Sequence, residues 1–420
     1  MLEFSDAPYQ FFPPNPSRPL IWLGRKANQH FILQGKGHRV SELVVQGETE
    51  ALREERVKGI RHLFVFNHPS HSDPQTVTEV HRRLGIPSSF MAAYDVFLRN
   101  GLNRFLMPRL GHFSIDREGS DRKAMSAAIE ILKQGDFALN IFPEGNVYLT
   151  NDRVTPFLDG TAFIAAKAQK ASPDEEVRIV PVSLKFTNLS DIRPVLIERR
   201  NAIAELTGFT IDPDQPTVSN VIELGMHLLG IYLKEHGIDP DSHPTDREGF
   251  RAALRNVAER LITELEEALE ITPAENQDYI DRIRKIRSHI HQIRTDESSA
   301  EDRAAVMRQL ADKAILAFRI LSYLTPYLTE KPNLDRLAET AERLGEDYYS
   351  KILPVPGPKR GIVTIHDSIS VAKVLEEAGG KMRDAVTSLT PRMEQVIQKG
   401  IDAINESNDS PGAEMVKNAG

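Results

Sequence analysis

Leu63-Phe64-Val65-Phe66-Asn67-His68-Pro69-Ser70-His71-Ser72-Asp73-Pro74 begins with four apolar residues and ends with a carboxylate beside a proline. The apolar run reads as a strand buried on both faces. Thr76–Leu84 reads as the next helix. A histidine at a strand end and an aspartate at the next helix start can converge without sharing a helical face. A neutral imidazole held by a carboxylate is suited to removing a proton from an alcohol, because the carboxylate fixes the tautomer and stabilises the imidazolium. The spacing alone is common: His68 could cap the turn before Pro69, and Asp73 could cap the helix. Its meaning depends on the later segments of the chain.

Outward from this stretch, strands and helices alternate. Ser41–Val45, Ser88–Ala93, Phe113–Ile115, Phe137–Phe142 and Val177–Phe186 read as strands. Leu98–Arg109, Asp121–Lys133 and the Ala-rich Thr161–Lys170 read as helices. Such alternation predicts an α/β sheet with helices on both faces. Beyond about Asn188 the periodicity is helical. Ile283, Ile286, Ile290 and Ile293 form a stripe that packs on another helix, and the flanking Arg282, Arg284, Lys285 and Arg287 read as a solvated face. A dock for an acidic partner or lipid is the alternative reading of those cations. After Leu353-Pro354-Val355-Pro356-Gly357-Pro358, the run Gly361-Ile362-Val363-Thr364-Ile365 is a strand with no sequence neighbour to pair with, so it should return to the first sheet. The expected organisation is therefore an irregular or amphipathic segment at 1–39 and an α/β domain at 40–189. A helical insertion at 190–355, a return strand with two closing helices at 356–406 and a frayed tail at 407–420 complete it.

Composition narrows the function. Net charge is −8, which argues against a dedicated nucleic-acid binder. The chain has no cysteine, so disulfides, thiolate metal sites and cysteine nucleophiles are excluded. Met1–Asp6 lacks the order of a signal peptide, and no stretch reaches the roughly 20 apolar residues of a membrane span. A cytoplasmic protein is expected, one that meets a membrane only from the side. For Pro19–Leu33 the plainer reading is a short helix packed on the core; the sharper one is an interfacial helix anchored by Trp22. Gln34-Gly35-Lys36-Gly37 lacks the third glycine of a dinucleotide fingerprint and reads as a turn. No Gly-x-Ser-x-Gly elbow supplies a serine nucleophile.

Four blocks occur in order, each near a strand end: Asn67-His68-Pro69-Ser70 with Asp73; Gly111 to Ile115-Asp116-Arg117; Phe142-Pro143-Glu144-Gly145; and Ile179-Val180-Pro181-Val182. In these residues the sequence resembles the glycerolipid acyltransferase family, whose members acylate glycerol 3-phosphate or its 1-acyl derivative. Phe157, Gly160 and Ala165 also resemble the family's helix start between the third and fourth blocks, and Gly361–Val371 resembles its closing strand. The likeness covers about 40–187 and 358–405. It implies an α/β fold with a mixed central sheet flanked by helices, here with a large all-helical insertion.

The resemblance assigns His68 as base and Asp73 as its orienting acid, with Arg117, Glu144, Gly145, Asn67 and Ser70 binding substrate. No metal and no tightly bound cofactor are implied. The acyl donor would be a coenzyme A or acyl-carrier-protein thioester, and the acceptor a lysophospholipid or glycerol phosphate. Arg117 offers a guanidinium fork for a phosphate. The third block departs from the family pattern: Asn146-Val147-Tyr148 stands in place of the usual Thr-Arg-Ser, and Arg153 is a candidate replacement. Arg117 with Asp116 could instead be a surface ion pair, and Glu144-Gly145 a plain turn. His71 and His112 read as bystanders. From other classes, a metal-dependent hydrolase would use His68, His71 and Asp73, and a silent lipid-binding scaffold would explain the altered third block.

Overall fold

In the computed structural model, which describes residues 9–117, 119, 121–238, 247–274, 277–295, 301–323 and 326–416, strands and helices alternate up to residue 188. Helix α1 (Arg18–Ala27) runs into a π-helical turn (Asn28–Ile32). Then come β1 (Val40–Gly47), α2 (Thr49–Val57), β2 (Arg61–Phe66), α3 (Asp73–Leu84) and β3 (Ser88–Ala93). Next are α4 (Tyr94–Leu98), α5 (Gly101–Arg109), β4 (Phe113–Ile115), α6 (Arg122–Gln134) and β5 (Ala138–Ile141). Helix α7 (Gly160–Ala171) and strand β6 (Val177–Asn188) complete this half. Among the described residues seven helices come after it: α8 (Arg193–Thr207), α9 (Thr217–Glu235), α10 (Arg247–Ala268), α11 (Tyr279–Thr295), α12 (Glu301–Tyr323), α13 (Tyr327–Glu330) and α14 (Leu334–Tyr349). The chain closes with β7 (Lys359–Ile365), β8 (Ile369–Ser370), α15 (Val371–Glu377) and α16 (Met382–Ser407).

The sheet is mixed, in the order β1-β7-β6-β2-β5-β3-β4, with β8 also on β6. Strands β2 to β6 are parallel to one another; β7 and β8 run antiparallel to β6, and β1 pairs parallel with β7. Leu63, Phe64, Val65 and Phe66 are at most 1 % exposed, as a central strand covered on both faces requires. One face packs on α6, α7, α15 and α16 through Ala128, Ala165, Leu389 and Ile397; the other packs on α2 and α3 through Leu52, Val77 and Val80. A separate core joins α9, α10, α11 and α12, with Ile283, Ile286 and Ile290 inside it. Among the described residues no helix is long and apolar enough to cross a membrane.

Four expectations change. The helix expected over Leu98–Arg109 is two, because Asn100 leaves helical geometry and its side chain accepts from Asn103 N–H (2.8 Å) to start α5. Three of the four named cations of α11 are not a solvated face: Arg282 pairs with Glu266 (2.6 Å), Arg287 is buried and Arg284 reaches the third block, while Lys285 is exposed. Helix α1 packs on one side only, through Gly24 against Leu110, and leaves Trp22 exposed, so the packed reading describes half of that helix. Residues 408–416 are not frayed. Ser410 hydrogen-bonds Thr187, and an added Cβ at Gly412 would collide with the Asp335 carboxylate. Met1–Asp6 and 417–420 lie outside the described residues.

Candidate active site

Parallel strands bring their carboxyl ends to one edge, where ligands of open α/β sheets bind. Three of the four blocks lie there, after β2, β4 and β5. Because β5 lies directly beside β2, the third block meets the first.

His68 lies two residues past the last ladder pair of β2, Phe66 with Val182. The residue between is Asn67, whose amide accepts from Leu184 N–H and donates to Leu184 O (both 2.8 Å). Asn67 thus imitates one more strand partner and pins the chain just before the histidine. With both amide atoms engaged and 1 % exposure, it is not placed to bind substrate, contrary to the expectation from sequence. Asn151 repeats the device two residues along β6, on Phe186.

His68 Nδ1 lies 2.6 Å from Asp73 Oδ2, at the first turn of α3. Asp73 is not the helix cap; Ser72 holds that position, and the Asp73 carboxylate also accepts from Ser70 N–H (3.1 Å). The Ser70 hydroxyl accepts from Ser72 N–H (3.3 Å), so Ser70 braces the turn. The imidazole stacks on Phe142, with ring centroids 4.3 Å apart. Burial dominates its titration and pulls its pKa down to about 3, so the ring is neutral at physiological pH. Burial pushes the Asp73 carboxyl upward, and the Ser70 N–H pulls it back. With Nδ1 turned to Asp73, Nε2 is the nitrogen that can take a proton.

Glu144 faces inward. It accepts from His68 N–H (2.8 Å) and from Thr155, and burial pushes its carboxyl up to about 8 against those donors. It holds the backbone of the histidine and has no open face for an acceptor, which departs from the substrate-binding role expected of it. Gly145 turns the chain at φ +75, a region that favours glycine, and its N–H donates to Phe142 O (3.2 Å). Arg117 keeps about a third of its side chain exposed, near Asp95 (3.3 Å) and Gly145 O (3.5 Å). Its sequence neighbour Asp116 is no surface partner: it is buried and meets His291 of α11 (2.7 Å). Arg153 pairs with Glu330.

The helices after residue 190 wall this edge. Arg284 donates to Glu144 O (2.9 Å) and Pro156 O (3.1 Å), and His71 meets Glu346 of α14 (3.0 Å). His71 therefore does not share a centre with His68 and Asp73, and among the described residues no group of His, Asp and Glu is arranged to hold a metal ion. Below the third block a buried ionic cluster joins three elements. Asp152 meets Lys185 of β6 and Arg336 of α14 (2.7 Å), and Tyr327 donates to Glu339 (2.5 Å) beside them. Burial of both partners of each contact is invisible in sequence, where their spacings have no period. A cavity of about 640 Å³ lies at the opposite ends of β2 and β6, around Lys58, Arg61 and Arg178, away from this chemistry.

Residues 45–185 match the family Acyltransferase, in agreement with the glycerolipid acyltransferase resemblance of the four blocks. The chain carries an acyltransferase domain and is an acyltransferase; an acyl donor and an acceptor are its substrates. No curated protein matches the chain.

Proposed function

We propose that the enzyme moves a fatty acyl chain from a coenzyme A or carrier-protein thioester to the free hydroxyl of 1-acylglycerol 3-phosphate, in phospholipid synthesis. The observation that carries this reading is the 2.6 Å contact of His68 Nδ1 with Asp73, which leaves Nε2 as a base. A hydroxyl is a weak nucleophile at neutral pH. As its oxygen bonds to the thioester carbonyl carbon, His68 takes its proton; as the C–S bond breaks, His68 returns that proton to the departing thiolate. The products are an ester and a free thiol. Asp73 stabilises the transient imidazolium. Arg117, partly exposed beside the Glu144-Gly145 turn, is suited to the acceptor phosphate. No tightly bound cofactor enters the scheme. The protein works at the cytoplasmic face of a membrane as a peripheral enzyme, a reading supported by its exposed α1 face.

Glycerol 3-phosphate is the second acceptor to be tested, since the third block lacks the usual arginine and serine. The experiment offers both acceptors with both thioesters to wild type, His68→Ala and Arg117→Ala. Expected are transfer to the lysolipid, a drop of roughly 10²–10⁴-fold in His68→Ala, and a raised KM for phosphate acceptors in Arg117→Ala. Equal rates for wild type and His68→Ala would refute the mechanism. No thioester consumption with any acceptor would favour a lipid-binding scaffold.

A further inference from the structure

We infer that α1, the π-helical turn and α5 together form a docking face for an anionic lipid bilayer, set against the start of the catalytic helix α3. The inference deepens the lipid-substrate reading above, and rests on it for the reason a bilayer should lie beside this motif.

Trp22 is 63 % exposed, Phe31 76 % and Leu102 65 %, with Leu23, Ile32 and Phe105 also exposed. Large apolar side chains gathered on short neighbouring elements mark an interaction surface more than scattered ones do. The exposure is built by packing on the other side. Gly24 sits where a Cβ would meet Leu110 of the α5 end at 2.7 Å, and Arg25 donates to Ile86 O (2.6 Å). Trp22 and Lys26 lie two residues either way from Gly24, about 200° around the helix, and so point outward. Ser17 N–H donates to Arg109 O (2.8 Å), which ties α1 to α5.

Charge decides the partner. The whole chain is at −8, yet residues 9–41 and 96–115 hold eight Lys or Arg and no Asp or Glu. Exposed cations among exposed aromatic and aliphatic residues fit an anionic bilayer, where apolar side chains enter the interface and Lys or Arg meet headgroups. An apolar protein partner would not call for a complete lack of carboxylates.

The face also touches the catalytic motif. Asn28, buried in the π-turn, donates to Gln75 O of α3 (2.9 Å), and His38 Nδ1 lies 3.1 Å from the Ser72 hydroxyl, one residue before Asp73. The π-turn that presents Phe31 is thus fastened to the first turn of the helix that carries the orienting acid. A docked bilayer would bring lysolipid to the His68 edge.

Trp22 is the only tryptophan, so its fluorescence reports this face alone. The full-length protein is titrated, without substrates, with vesicles of phosphatidylcholine alone and with about one third phosphatidylglycerol. Expected are a blue-shifted Trp22 emission and co-sedimentation with the anionic vesicles, at least about tenfold stronger than with neutral ones. Lys26→Glu with Lys36→Glu should weaken binding at least about tenfold. Phe31→Ser with Leu102→Ser should remove it, with melting temperature unchanged and with transfer to a lysolipid in detergent micelles retained. No shift or sedimentation with anionic vesicles, or equal binding by the Phe31/Leu102 variant, would overturn the inference. So would a concentration-dependent blue shift without vesicles, which would show a second copy covering the face. Because binding is read without turnover, failure of the lipid chemistry leaves this result separately visible.

Discussion

Asp152→Asn tests the junction between the catalytic edge and the helices that wall it. Asp152 is 3 % exposed and its charge is held by Lys185 and by Arg336 Nε at 2.7 Å. Those cations draw the carboxyl down to about 2 from 3.8, in spite of burial. That drop corresponds to about 2.5 kcal/mol of stabilisation of the folded state at neutral pH. Asparagine loses it and leaves two buried cations facing each other, so the expected cost is about 3–5 kcal/mol. Lys185→Met should cost less, because Asp152 keeps Arg336. The assay is urea unfolding tracked by circular dichroism at several pH values. The folded pKa of Asp152 is depressed, so the wild-type advantage is fully present above about pH 4 and declines as pH falls toward 2. A loss under about 1 kcal/mol at pH 7, or an undiminished difference at pH 2.5, would refute the reasoning.

Three further outcomes are expected. Burial holds His68 and His81 at about 3 and His112 at about 4, below their unfolded value near 6.5. Stability should therefore fall as pH drops below about 6.5, with up to three protons taken up by these histidines on unfolding; His81→Gln, measured by calorimetry across pH, should remove one of them. Asp73→Asn should lower kcat by roughly 10²–10⁴-fold with little change in thioester KM, as stopped assays of thiol release would show. Gly145→Ala should destabilise by about 1–2 kcal/mol through its positive φ, read by thermal melting, and should slow transfer by shifting Glu144 against His68 N–H.

Much of the sheet was legible because burial on both faces writes itself as unbroken apolar runs. Leu63–Phe66 is such a run, while Ser88–Ala93 and Phe113–Ile115 fall at their expected places although both contain serine beside their apolar residues. The facing of Glu144 was not legible, since a carboxylate that binds substrate and one that holds a backbone N–H are the same letter. Nor was the wall over the site: Asp116 with His291 and His71 with Glu346 are long-range pairs between residues of ordinary type and spacing. The α11 cations looked solvated because a helix shows one sequence pattern whether its polar face meets water or the carbonyls of a distant segment. Trp22 carries the same hydrophobicity packed or exposed, so the sequence left both readings of its helix open.

Strand β7 pairs on one side with β1 and on the other with β6, yet it begins at Lys359, 171 residues after β6 ends at Asn188. During synthesis, β1 and the outer edge of β6 must therefore wait unpaired while α8 to α14 are made. An open edge of buried composition is a template for misassembly. The helices α9 to α12 have a core of their own and can gather first. Release of the chain before residue 359 would leave an enzyme with its catalytic motif intact and its sheet unclosed.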